Sequence, residues 1–369
     1  MESYPSTAIA YILALFLAFI FARQAEITNH KQKRNLFCIL SLLVIVLFCG
    51  LRFFVGNDYH NYFYSLQAIS KYNLSFFEQR WEPGTYLLSQ FFQFSNIGYI
   101  YVLFISSLLT YVFTFRALVY NNILKWGVFF TFSLGMLIMA NDQVRQAVAF
   151  SIFLFSIKYI EQNDFKQYFK WIIIATLFHY SAIALTPIFF IKKIRLNSVI
   201  FSILIIATYI GFRLGIFYNF IFILTEKIPY YGAYFIERER FFIIDHSGSG
   251  LGVLFKTLTA LFVAVFYNKI NKPIYATIFL FGTIIANLSV GFMPIERFSN
   301  YLVFTNIIAI PMMFNNKFTK TFAKGYAIIA FIYFLLVSLY GLEKHGAVPY
   351  RTILNENLAS PKIEYIQNK

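Results

Sequence analysis

An all-α bundle of helices crossing a membrane is the fold class this sequence predicts, and three observations predict it. Hydrophobic residues make up 59% of the 369 residues and charged ones only 13%, about half the charged share of an ordinary soluble domain. Mean hydropathy is +0.64. Apolar runs of roughly 16–22 residues recur from end to end, close to the ~20 that carry a helix through a hydrocarbon core. A soluble enzyme, a disordered chain and a disulfide-stapled secreted domain are excluded on these grounds. The aromatic share of 21% suits lipid-facing and interfacial positions.

Ten spans are expected near 4–22, 36–51, 98–115, 126–140, 147–160, 196–216, 250–267, 273–291, 299–314 and 325–341. The first does not read as a cleavable signal, because its basic residues (Arg23, Lys31, Lys33, Arg34) follow the apolar run. If 23–35 is cytoplasmic, so are 116–125, 158–170, 192–195, 268–272 and 315–324. Those six stretches carry 17 Lys/Arg against 3 acids, and the rest of the chain carries 14 against 13. Nearly all of the net +15 therefore gathers on one side, as the positive-inside rule requires, and both termini are expected outside. Nucleic acid is not the partner this charge implies.

Residues 171–191 resist the scheme, since one crossing would export Lys192, Lys193 and Arg195. A broken or re-entrant helix centred on FHYSAIALTP is expected instead, with Pro187 interrupting the backbone ladder; the alternative is an eleventh span. Outer segments are expected at 52–97, 217–249 and 342–369, around a single membrane domain covering 1–369. EPGTYLLSQFFQF in the first of them reads as an amphipathic helix suited to the interface.

Charges that fall at outer span ends or at membrane depth are the candidates for chemistry, because an ionised group facing lipid costs about 2.5–3.5 kcal/mol on insertion scales. Arg52, Arg145 and Arg297 come from three separate segments on the side that the charge bias disfavours. Converging, they would form an anion site with fork-shaped donors suited to phosphate; the plain alternative is that each snorkels or pairs with a neighbour, as Glu296 invites. Asp58, Glu82 and His179 are the candidate proton acceptors, an imidazole being suited to proton transfer near neutrality. Each has a structural alternative: an arginine partner, a helix-start acid or a buried hydrogen-bonded histidine. Tyr59, Tyr62, Trp81 and Tyr301 are candidate sugar contacts. The remaining histidines show no metal-ligand spacing, so neither metal nor cofactor is expected. Cys38 and Cys49 lie about 16 Å apart along one helix by the rise, too far to bridge. Gly211 and Gly215 read as a helix-packing pair, and ERER at 237–240 as a solvated loop.

GLRFFVGNDYHNY at 50–62, WEPGTYLL at 81–88, RQAVAFSIFLFS at 145–156, LFHYSAIALTPI at 177–188, ERFSNY at 296–301 and VPYR at 348–351 together resemble the EpsG/Wzy-type bacterial polysaccharide polymerases, over residues 36 to 353. The first block is the most specific. The resemblance implies a multi-pass enzyme of the bacterial cytoplasmic membrane that builds O-antigen, capsule or exopolysaccharide. Its active site would face the extracytoplasmic side. It implies undecaprenyl-diphosphate-linked oligosaccharides and membrane lipid as partners, leaves room for a chain-length regulator, and requires no metal. On that reading Arg52, Arg145 and Arg297 hold the departing diphosphate while Asp58, His179 or Glu82 activates the acceptor hydroxyl.

Three other classes stay open on the sequence. A flippase for the lipid-linked unit needs the same arginines but also inverted-repeat symmetry, for which no hydropathy repeat is visible. A membrane O-acyltransferase would use His179 with a donor from the other side. A ligase moving finished chains onto another acceptor is chemically nearest.

Overall fold

The computed structural model describes residues 3–72, 75–76, 81–92, 95, 97–194, 196–216, 250–270, 273–289, 293–342 and 346–355. Among them the chain is helical throughout, with a single isolated antiparallel bridge between Arg52 and Thr352. ERER, His246 and His345 lie outside the described residues.

The chain divides into two compact units, 1–186 with 325–369, and 187–324. In the first unit, α1 (Pro5–Ile27), α2 (Lys31–Gly50) and α5 (Gly98–Tyr120) are long and apolar enough to cross a membrane. Between α2 and α5 lie the shorter α3 (Tyr59–Tyr72) and α4 (Pro83–Phe92). Then come α6 (Leu124–Ser133) and α7 (Met136–Asp142), a pair bent by 60° at Leu134–Gly135. The expected single run at 126–140 is thus a broken one. After it follow α8 (Val144–Glu161) and α9 (Phe165–Thr176).

The first unit is packed as a membrane protein packs. The inward stripe of α1 is small (Ala8, Ala14, Ala18, Ala22, Ala25), whereas Ile9, Leu13, Phe16 and Leu17 face outward. Small residues let backbones approach where burial in lipid supplies no hydrophobic drive. Accordingly α2 lies close enough for the Ser41 hydroxyl to donate to the Ala18 carbonyl at 2.7 Å. From there α2 packs on α5, α5 on α8 and α8 on α9. Helix α8 is enclosed on every side by its neighbours, with Val148, Phe150, Phe153 and Leu154 all buried.

Helix α4 is the expected amphipathic stretch with its apolar face turned outward: Thr85 and Ser89 are buried while Leu87 and Phe91 are 66% and 77% exposed. That arrangement suits a helix whose outer face meets acyl chains rather than water.

In the second unit, α10 (Ser198–Arg213), α11 (Leu251–Val265) and α12 (Ile274–Leu288) are apolar but shorter. They pack mutually and are joined by side-chain hydrogen bonds from Asn287 to Thr208 and from Thr257 to Asn287. The run expected at 299–314 is split into α13 (Met293–Val303) and α14 (Asn306–Met312). Gly211 is buried on α10, but Gly215 lies beyond the helix end at φ +66°, so the two do not form one packing face. The long α15 (Lys317–Tyr340) is the fourth helix able to cross alone.

The segment expected to be broken is broken. Helix α9 ends at Thr176, Leu177 and Phe178 form a turn, and a 3₁₀ helix runs over Tyr180–Lys193. The break falls at His179 itself; Pro187 sits within the 3₁₀ segment.

Candidate functional site

The interruption after α9 and the start of α4 meet in the first unit. The Gly84 amide donates to the Leu177 carbonyl at 2.7 Å. An added Cβ at Gly84 would lie 2.9 Å from that carbonyl oxygen and 3.1 Å from the Phe178 ring. Only glycine allows this approach. It brings Glu82, just before α4, against His179. Gly84→Ala should push α4 away from the 177–179 turn at a cost of about 1–3 kcal/mol, read as a lowered melting midpoint in detergent together with impaired activity.

Arg145 arrives from the first turn of α8. Glu82 lies between the two cationic side chains: one carboxylate oxygen accepts from an Arg145 terminal nitrogen, and the other is 2.8 Å from His179 Nδ1. Its side chain is 4% exposed, against 28% for Arg145 and 23% for His179, so the carboxylate is the hidden centre and its partners reach outward. Burial by itself would raise the Glu82 carboxyl, but the His179 hydrogen bond and the Arg145 charge outweigh it and hold the group below its ordinary value. An ionised carboxylate only accepts, so Nδ1 must carry the proton and a neutral His179 presents its lone pair at Nε2. Among the described residues Nε2 has no hydrogen-bond partner, and the buried Arg145 Nε has none either.

The sign of the Glu82 shift fixes a pH dependence. A depressed carboxyl contributes stability that is complete above the ordinary carboxylate range, about pH 4.3, and is lost as pH falls through the lower folded value. Melting midpoints taken from pH 7 to pH 3 should therefore show the wild type falling toward a Glu82→Gln variant at the acid end. A constant gap between the two at all pH values would contradict the pairing.

Two aromatic rings flank the trio. The Arg145 guanidinium carbon lies 5.9 Å from the ring centroids of both Tyr62 and Trp81, whose rings meet edge to face at 5.9 Å. Tyr62 is buried and Trp81 half-buried, which leaves the indole as the accessible aromatic surface.

Of the other expected site residues, Arg52, Asp58 and Tyr59 belong to the same unit. Arg52 is 1% exposed, and its guanidinium donates to the carbonyls of Cys49, Val55 (3.2 Å) and Asn141 (2.9 Å). Each of its three nitrogens thus donates to a backbone carbonyl, whereas a share in an anion site with Arg145 and Arg297 was expected. Asp58 accepts from the Asn61 amide at 3.3 Å, and its backbone N–H donates to the buried Asp142 carboxylate at 2.9 Å. Tyr59 is enclosed by Phe53, Phe54 and Tyr99, and Tyr301 is likewise fully buried, so neither ring presents a face to a sugar. Arg297 is half-buried on α13 and belongs, with Tyr301, to the second unit.

Two features escaped the sequence reading. Asn141, Asp142 and Gln143 are buried at the α7–α8 junction; their signal was the polar run NDQ inside an apolar stretch. The segment after α15 was read as an outer tail, but it folds back on the loop that follows α2. Phe53 N–H donates to the Arg351 carbonyl at 3.0 Å, Ile353 N–H to the Leu51 carbonyl at 2.9 Å and Gly56 N–H to the Gly346 carbonyl at 3.0 Å. Gly56, at φ +103°, sits where a Cβ would be 2.5 Å from the Asn141 carbonyl oxygen.

Long apolar helices define a multi-pass membrane protein, one that buries a carboxylate between a guanidinium and an imidazole. The chain belongs to the EpsG family, whose sequence model matches residues 35–352 and so takes in Arg52, Glu82, Arg145, His179 and the returning segment. Membership supports a role of the polysaccharide-polymerase type. No curated protein and no solved structure shows a significant match.

Proposed function

We propose that this protein lengthens a surface glycan by transferring the growing chain from undecaprenyl diphosphate to a sugar hydroxyl of the next lipid-linked repeat unit, at the extracytoplasmic face of the cytoplasmic membrane. The observation that carries the reading is the Glu82 carboxylate held between Arg145 and His179. The acceptor hydroxyl oxygen attacks the anomeric carbon of the chain, and its proton passes to His179 Nε2. The anomeric carbon–oxygen bond to the diphosphate breaks, and the electron pair leaves on the diphosphate. Glu82 fixes the tautomer and steadies the imidazolium that forms, the role carboxylates play beside catalytic histidines elsewhere.

The charges suit this sequence of events. At rest, Arg145, Glu82 and neutral His179 sum to zero. Once the proton arrives, the trio becomes positive just as the leaving group gains negative charge, which favours the transition state over the bound substrates. The exposed part of the Arg145 guanidinium would donate to the phosphate oxygens, and Trp81 would stack on a sugar ring. Arg52 and Asp58 are assigned positioning roles: one ties the loop after α2 to the α7–α8 junction, and the other links to Asp142 through its backbone.

Deletion of the gene tests the function. Surface or lipid-linked glycan should persist as single units without the ladder of longer chains. Accumulation of units on the cytoplasmic leaflet would indicate a flippase instead, and unaltered chain lengths with lost acyl groups an acyltransferase. At the residue level, Arg145→Ala should lower the polymerisation rate by about 10²–10³-fold with normal membrane insertion, as measured on lipid-linked repeat units in detergent. A rate within a few-fold of wild type would remove Arg145 from the mechanism.

A further inference from the structure

A second polar feature lies at the other end of α8 and belongs to no part of the site above. Lys158 is 13 residues beyond Arg145 on that helix, about 20 Å along its axis. A cavity of about 510 Å³ opens there between α2, α5 and α8. Its walls are apolar, with Ile39 and Leu42 from α2 and Val112 and Val119 from α5. Ile39 and Val119 are 51% and 48% exposed, so the cavity is open along the surface that faces lipid.

Two cations stand at this cavity and share the Phe155 ring, with Lys158 Nζ also 4.7 Å from the Tyr159 ring and 5.9 Å from the Tyr120 ring. The Arg116 guanidinium carbon is 5.9 Å and Lys158 Nζ 3.8 Å from the centroid of Phe155. Among the described residues neither forms an ion pair with a carboxylate. Glu161, the nearest acid in sequence, accepts instead from the Tyr120 hydroxyl at 3.4 Å. The two like charges repel, and the neighbouring ring quadrupoles offset only part of that repulsion.

We propose that this groove binds an anionic phospholipid, with its phosphate on Arg116 and Lys158 and an acyl chain along the α2–α5 wall. The apolar walls select a lipid over a free phosphate, and the paired cations select an anionic headgroup over a zwitterionic one. The site is separate from the glycan chemistry and does not depend on it.

Cys38 lines the same groove and is half-buried, whereas Cys49 is buried, so one thiol reports on occupancy. The full-length protein in detergent is treated with N-ethylmaleimide and followed by intact mass, with phosphatidylglycerol, phosphatidylcholine or inorganic phosphate added. Phosphatidylglycerol should slow Cys38 alkylation in a saturable way, and the other two should not. In an Arg116→Gln/Lys158→Gln double variant the half-protecting concentration should rise about tenfold or more, given roughly 1 kcal/mol per basic residue near an anionic lipid. Native mass spectrometry gives a second reading: the wild type should retain one more phosphatidylglycerol than the double variant. Equal protection by phosphatidylcholine would reduce the groove to ordinary lipid-facing surface. Protection by phosphate alone would make it an anion site without lipid, and unchanged protection in the double variant would overturn the headgroup assignment.

Discussion

Replacing His179 with glutamine is expected to slow glycan polymerisation by about 10²–10⁴-fold, the usual contribution of a positioned general base, while the protein stays folded in the membrane. Glutamine is the informative substitution because its amide can still donate to Glu82, now 2.8 Å from Nδ1, yet it cannot accept a proton at neutral pH. The buried carboxylate therefore keeps a partner, and loss of activity is not confounded by an unpaired charge. His179→Ala should be equally slow, and added imidazole should restore part of its rate. Asp58→Asn provides the contrast: its structural link to Asp142 runs through the backbone N–H, which asparagine keeps, so its rate should stay within a few-fold of wild type. A His179→Gln enzyme within tenfold of wild type, or an Asp58→Asn enzyme slowed a hundredfold, would move the base from the imidazole to Asp58.

How much of this was legible in the sequence depends on the range of the interaction. Apolar runs set by bilayer thickness are local, and helices occupy them in both units, although the runs at 126–140 and 299–314 are each divided into two helices. The interruption near His179 was legible too, because charge bias and hydropathy disagreed over 171–191. The partnership of Glu82 with His179 was not, since 97 positions separate them and a glycine contact at Gly84 decides their approach. Arg52 shows the opposite case. An arginine at an outer span end has the same sequence signature whether it faces an anion or donates to carbonyls. What separates the two is the fold-back of residues 346–353 and the α7–α8 junction, which arrive from elsewhere in the chain. The burial of Tyr59 and Tyr301 was hidden for a similar reason, as an aromatic residue carries no local mark of being enclosed.

Arg52→Ala is expected to destroy the fold rather than the chemistry. Three backbone carbonyls, those of Cys49, Val55 and Asn141, depend on this one guanidinium, and hydrogen bonds from a charged donor contribute about 1.5–3 kcal/mol each. Losing all three in a water-excluded place should remove on the order of 5 kcal/mol, comparable with the whole stability of a small domain. Lysine should not rescue it, because three donors on one nitrogen cannot reach acceptors set apart around a planar fork. The loop after α2 would then lose its hold on Asn141, and with it the register of the α7–α8 junction that aims Arg145 at Glu82. In detergent, Arg52→Ala and Arg52→Lys should both elute as aggregated or low-yield protein, whereas Arg145→Ala elutes as wild type does. An Arg52→Ala protein with a wild-type melting midpoint and no polymerisation would instead place this guanidinium on the substrate and restore it to the diphosphate site.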